Sequence, residues 1–301
     1  MTRTREDFGH DRGLQARMLL TLFLLGLAYV VLIAVALSAG ARMTTVIVIA
    51  ALFFGLQLFA SDRIALAAMG ARQVSPEEAP RLHALVQRLC VQADVPMPRL
   101  ALVDAPMPNA FALGRSRKTA TICATTGLLG LLSESELEGV LAHELTHVIN
   151  RDVMVMTIAS FFASIAAVLV RFGVFFGGGG RGRNQQSTFA VVLLASVAVY
   201  AISFLLLRAL SRYREYAADR GSAIITGSPS ALSSALLKIS GTMERIPQRD
   251  LRTAASMNAF FIVPARHKSA LMALFATHPP IQKRIAALQR MESRLQAAPS
   301  V

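Results

Sequence analysis

The chain has 301 residues, a formal net charge of +13 and a pI near 11.0. Its 54% hydrophobic content and mean hydropathy of +0.50 exceed what an ordinary soluble domain carries, about 45–50% apolar. They point to a membrane protein. With no Trp, only four Tyr and no basic-aromatic module, the positive charge does not describe a nucleic-acid binder. Arginines beside apolar spans explain it, since cytoplasmic flanks and anionic lipid both favour them.

Residues 1–17 form a basic polar tail with Arg3, Arg5, Arg12 and Arg17. Residues 18–37 are then uncharged and apolar, long enough to cross a bilayer as a helix. A cleaved signal peptide is the competing reading, because Ala39-Gly40-Ala41 resembles a cleavage site. An apolar core longer than the usual 7–15 residues or so favours an uncleaved anchor. Arg42 precedes a second expected span, residues 44–60, and Asp62, Arg63 and Arg72 follow it. The distribution of arginines places both flanks in the cytoplasm.

Ser75-Pro76-Glu77-Glu78 is a capping-box pattern predicting an amphipathic helix from about residue 76 to 93, stopped by Pro96 and Pro98. Short β-type runs at 99–103, 109–113 and 119–124 predict a small sheet with a hairpin. Ser133 and Glu136 form a second capping box, opening a helix to about Asn150. Residues 153–170 and 189–207 are two further apolar runs joined through Gly177–Gly180; they predict a helical hairpin that either spans the membrane, the favoured reading because both runs are apolar on every face, or packs as a buried hairpin. Ser228-Pro229 starts another helix, and Thr277-His278-Pro279-Pro280 precedes a basic amphipathic one. The expected division is a tail (1–17), two spans (18–60), the first part of a mixed α/β domain (61–152), a hydrophobic hairpin (153–207) and the second part of that domain (208–301).

The helix starting at Ser133 carries His143-Glu144-Leu145-Thr146-His147. His143 and His147 lie one turn apart on one face and can reach a common metal ion, with Glu144 beside them as a base for water. A catalytic zinc needs a third protein ligand. The extended pattern HExxHxxGxxH fails, since Asn150 and Val153 stand at its last two positions. A carboxylate on a later helix is the remaining common solution. Glu215 is the best candidate, with Asp219 one turn on to accept from a ligand histidine's outer nitrogen. The alternative for Glu215 is a carboxylate paired with Arg208, Arg212 or Arg214. Cys90 and Cys123 form no CxxC and read as buried free thiols in a reducing compartment. His10, His83 and His267 have no ligating neighbour in sequence and read as surface residues.

Taken together, HELTH at 143–147 and SRYREYAAD at 211–219, with a hydrophobic hairpin between them and two N-terminal spans, resemble the HtpX family of membrane-bound zinc metalloproteases. Asn109-Ala110-Phe111-Ala112 is similar to that family's substrate-side strand, and the Thr277–Pro280 segment also matches. The resemblance implies an α+β membrane protein: four transmembrane helices plus a mostly helical, gluzincin-type zincin domain with a small β-sheet. It implies one Zn2+ per chain held by His143, His147 and Glu215, with Glu144 as catalytic base, Asp219 behind a ligand, and Asn109, Ala110, Phe111 and Ala112 on the substrate. His278 is left between two roles, donor to the oxyanion or plain start of the last helix. Substrates would be misfolded or damaged membrane proteins, or unfolded polypeptides, cut during heat or envelope stress in the cell membrane, with the catalytic domain facing the cytoplasm. The rival class is a non-catalytic membrane scaffold or transporter subunit. Glu144 argues against it, because a structural metal gains nothing from an adjacent base. So does the near absence of polar groups in the first two spans, where only Gln57 is strongly polar.

Overall fold

The computed structural model describes residues 12–38, a few positions between 44 and 55, and residues 64–160, 183–245 and 278–297. In order these are α1 (Arg12–Ser38), β1 (Arg72–Gln73), α2 (Pro80–Ala93), β2 (Arg99–Val103), β3 (Ala110–Leu113), β4 (Thr121–Thr125), α3 (Thr126–Leu131), α4 (Glu134–Ile149), α5 (Arg183–Thr226), α6 (Pro229–Arg245) and α7 (Ile281–Ala297). Residues 152–160 are also helical. The chain divides into two units. One unit takes in 62–154 and 211–301, with the first twelve residues; the other takes in 13–61 and 155–210.

Among the described residues, two helices are long and apolar enough to cross a membrane, with windows at Ala16–Val35 and Ala190–Thr226. Of the four spans expected from sequence, these answer to the first and the fourth. Most of the second, 44–60, and residues 161–170 of the third lie outside the described residues. Side chains such as Leu19, Phe23 and Val30 on α1, and Val191, Leu194 and Leu205 on α5, are exposed. In water such a surface would be unfavourable, and in a bilayer it is not. Within this unit Leu25 packs with Ala159 and Leu210, and Tyr29 and Leu32 pack with Val199.

The other unit is built on a four-stranded sheet of order β1-β2-β4-β3. The hairpin of β3 with β4 is antiparallel, as its sequence suggested, and β2 runs parallel to β4. One face of the sheet carries Leu100 and Ile122 into a core with Leu85, Val86 and Leu89 of α2, Val140, Leu141 and Leu145 of α4, and Leu232, Leu236 and Ile239 of α6. Each such side chain contributes about 1.5–3 kcal/mol by leaving water. The opposite face carries Ala101, Val103, Phe111, Leu113 and Cys123, covered by Leu66 and Met69.

Helix α2 begins at Pro80, four residues later than the Ser75 capping box suggested. The box exists: the Ser75 N–H donates to Glu78 Oε2 (2.8 Å) and the Glu78 N–H to Ser75 Oγ (3.4 Å). It closes a turn instead of a helix, because Ala79 precedes a proline and sits at φ −139°, ψ 62°, outside the helical region. The box at Ser133 does open α4, and Glu136 does more than cap it. Ser234 Oγ donates to it at 2.6 Å and Lys238 Nζ at 2.7 Å, tying α6 to the start of α4. Burial pushes the Glu136 carboxyl up, but Lys238, Ser234 and Ser133 outweigh it and hold its pKa down at about 2.

At its other end α4 is capped by Arg117, whose Nε and a terminal nitrogen donate to the Ile149 carbonyl at 3.1 and 2.8 Å. Helix α5 lies so close to α4 that a Cβ on Gly221 would sit 2.3 Å from Thr146 Cγ2. Nearby, Ser222 Oγ donates to the Gly139 carbonyl at 2.7 Å. These contacts set the separation of the two helices that carry the candidate ligands. Gly221→Ala is expected to cost about 1–3 kcal/mol by overpacking. Thermal melting in detergent checks this, and adding Thr146→Ala should recover part of the loss, because it removes the two nearest atoms.

Candidate active site

Helix α4 places His143 and His147 one turn apart, both at least 90% buried, and α5 brings in Glu215 from 68 residues further along the chain. One ligand atom from each lies within 4.8 Å of the others. The two Nε2 atoms are 3.2 Å apart, His143 Nε2 is 3.6 Å from Glu215 Oε2, and His147 Nε2 is 3.6 Å from Glu215 Oε1. Four-coordinate zinc with bonds of about 2.0–2.1 Å sets its ligand atoms about 3.3 Å apart, so the three residues fit such an ion. Glu144, the next residue on α4, is buried in the same unit.

Behind the ligands stands a ring of buried ions. His143 Nδ1 is 3.0 Å from Asp219 Oδ1, one turn after Glu215 on α5. His147 Nδ1 is 2.6 Å from Asp152 Oδ2. Arg284 of α7, fully buried, donates to both oxygens of Asp219 at 2.8 and 2.6 Å and reaches Glu215 Oε2 at 3.2 Å. Arg214 Nε is 3.3 Å from Asp152 Oδ1. Four buried carboxylates (Glu144, Asp152, Glu215, Asp219) against two arginines leave a formal charge of −2 when the histidines are neutral, as ligands must be, and a divalent cation would neutralise it. Burial opposes a charge on His143, yet Asp219 and Glu215 outweigh it and raise its pKa to about 9. That rise expresses the excess of negative charge around the ring.

His278 is buried, with Nδ1 3.2 Å from Glu215 Oε2, so the residue left between two roles stands at the metal-ligand cluster. Residues 110–112 lie on β3, an end strand of the sheet, which packs against α4. Asn109 precedes that strand, and its backbone N–H donates to Thr125 Oγ1 at 2.9 Å while its carbonyl accepts from the Thr125 N–H. Asn109, Ala110 and Phe111 are buried and Ala112 partly so. Both cysteines are free and buried, and burial pushes the thiols up to about 11 at Cys90 and about 12 at Cys123.

Three participants escaped the sequence reading. Arg284 sat in a helix read as basic and amphipathic, although an arginine five residues after Pro279 in a His-Pro-Pro motif was a signal. Arg214 was weighed only as a competitor for Glu215, and the structure gives it to Asp152 instead. Asp152, an acid immediately before an apolar run, was not singled out at all.

Comparison with known proteins agrees with this geometry. The family model for peptidase family M48 matches residues 76–292. A "Protease HtpX homolog" of Moorella thermoacetica is 54% identical, covering 97% of this chain and 99% of that protein. "Protease HtpX homolog 2" of Methanosarcina acetivorans is 51% identical over 97% and 99%, and "Protease HtpX homolog 1" of Streptomyces coelicolor 51% over 97% and 97%. The crystal structure of S. mikatae Ste24p superposes with a TM-score of 0.51 at 17% identity, covering 92% of this chain and 66% of the other, which shows a shared fold. The chain therefore belongs to peptidase family M48, among its HtpX-type proteases, and is a membrane-associated metalloprotease.

Proposed function

We propose that this protease is a zinc endopeptidase of the cell membrane that cuts misfolded or damaged membrane proteins on the cytoplasmic side, as part of quality control under stress. The carrying observation is the set of three ligand atoms from His143, His147 and Glu215, spaced as a tetrahedral zinc requires, with Glu144 next in sequence to the first. Zinc, when bound, supplies Lewis acidity toward the peptide carbonyl and lowers the pKa of water to about 7.

In this mechanism the Glu144 carboxylate accepts the proton of the attacking water and returns it to the leaving amine. His278, beside Glu215, donates to the oxygen that becomes negative in the transition state. Asp219 holds His143 by its outer nitrogen, and Arg284 holds Asp219. The edge of β3 offers main-chain hydrogen bonds to an extended substrate, and residues 109–112 form that contact. Extended, unfolded segments are the substrates such an edge admits. The membrane location rests on α1 and on the apolar part of α5, with residues 44–60 and 153–170 completing four spans. Arginine-rich flanks support a cytoplasmic location for the catalytic parts. The tail at 1–17 has no role in this scheme.

Three outcomes follow. Glu144→Gln should keep one zinc per chain and lose about 10²–10⁴-fold in cleavage rate, whereas Glu215→Ala should lose the metal itself. Elemental analysis of purified protein, alongside proteolysis of an unfolded membrane-derived substrate, checks both, and a Glu144→Gln enzyme as fast as wild type ends the mechanism. Because His143 is raised to about 9 and must be neutral to ligate, zinc binding at pH 7 should release about one proton. Apparent affinity should then weaken about tenfold per unit as pH falls below 9, read by chelator competition across pH 6–8. For orientation, buried Cys90 and Cys123 with raised thiol pKa values give little background labelling. Glu134→Cys, at an exposed site, should react with a membrane-impermeant maleimide in inverted vesicles and not in intact cells.

A further inference from the structure

Asp152 is fully buried, five residues after His147, at the first residue of the helical segment 152–160. Had α4 simply continued, five residues at about 100° each would carry the side chain about 140° around the axis, away from the ligand face. The chain instead breaks at Arg151, a non-glycine residue at φ +57°. A left-handed conformation at a non-glycine position is disfavoured, and such positions persist where the surrounding structure holds them. Its effect here is to fold Asp152 back onto the preceding turn, where Oδ2 meets His147 Nδ1 at 2.6 Å. The other carboxylate oxygen forms an ion pair with Arg214, the residue immediately before ligand Glu215.

We propose that Asp152 is the positioning residue for His147, the counterpart of Asp219 at His143, and that the break at Arg151 exists to place it. This rests on the metal site proposed above and extends it. With Nδ1–H donating to Asp152, the Nε2 lone pair of His147 is directed toward Glu215 and His143, where a metal would lie. Each ligand histidine is then seated by its own carboxylate and each carboxylate by its own arginine: Asp219 by Arg284 from the last helix, and Asp152 by Arg214. Arg214 also joins the start of segment 152–160 to the returning α5. The ion pair thereby fixes the third ligand's helix against the second ligand's support.

The test is zinc affinity by chelator competition on the full-length protein in detergent, together with the absorption spectrum of the cobalt-substituted form and the melting temperature of the metal-free form. Asp152→Asn keeps the shape and removes the charge, and its amide nitrogen can stabilise the wrong tautomer of His147. It should bind zinc about 10–100-fold more weakly and change the cobalt spectrum, with the metal-free melting temperature close to wild type. Glu136→Gln removes the ion pair of a buried carboxylate with the half-exposed Lys238 elsewhere in the same unit and should do the reverse, lowering the melting temperature with zinc affinity intact. Zinc affinity and cobalt spectrum unchanged in Asp152→Asn would overturn the proposal, as would a loss of affinity that merely tracks a lowered melting temperature. Should Asp152→Asn not fold, Asp152→Glu carries the test: near wild-type zinc binding by this charge-keeping variant sustains the proposal, and loss of zinc from it overturns it. A wild-type protein that binds no zinc would instead refute the metal site itself.

Discussion

The rest of the structure depends on the concentration of negative charge that α4 and α5 bury together. Isolated carboxylates do not survive in a protein interior, since the cost of removing one from water is several kcal/mol even after relaxation. Here four of them share one interior region. The fold answers with the buried Arg284 and the half-buried Arg214, and with the histidines neutral the remaining formal −2 suits a divalent cation. Other features of the unit serve that arrangement. The absence of a side chain at Gly221 lets the two helices approach. Bidentate pairing of Arg284 to Asp219 makes α7 part of the site and not an appendage.

Helix α5 translates this local chemistry into a cellular setting. It is 44 residues long, about 66 Å at 1.5 Å per residue, which is twice the thickness of a bilayer core. Residues 190–207 are apolar and partly exposed, and further along Glu215 and Asp219 are buried and Arg214 is half-buried. One helix thus carries both an apolar stretch and a candidate metal ligand. Sequence reading placed a span and a motif side by side, and the structure makes them one helix.

The parts of this site that were legible in the sequence are those governed by local rules. The spacing of His143 and His147 is a helical turn, the Ser133–Glu136 box is a four-residue pattern, and Glu215 with Asp219 is again one turn. Each follows from helix geometry alone. What stayed hidden depends on contacts between distant elements. Arg284 looks like any basic residue until α7 docks, and the parallel pairing of β2 with β4 is a matter of topology that alternation cannot reveal. Asp152 is the instructive case, because its position relative to His147 is wrong for a helix and right only after a left-handed residue that the sequence marks with an arginine and not a glycine. The late start of α2 is a milder failure: the capping box was real, but Pro80 imposed its own constraint on Ala79.

The order in which the chain supplies these groups has a physical consequence. His143, Glu144, His147 and Asp152 are made first and face a pocket whose counter-charges do not yet exist. Glu215, Asp219 and Arg214 arrive only after residues 153–210, and His278 and Arg284 only with the last described helix. Until then the two histidines form an incomplete site, with two ligands where zinc requires three. The three candidate ligands therefore lie in two stretches of sequence, His143 and His147 on α4 and Glu215 on α5, and they come together only when those two helices pack.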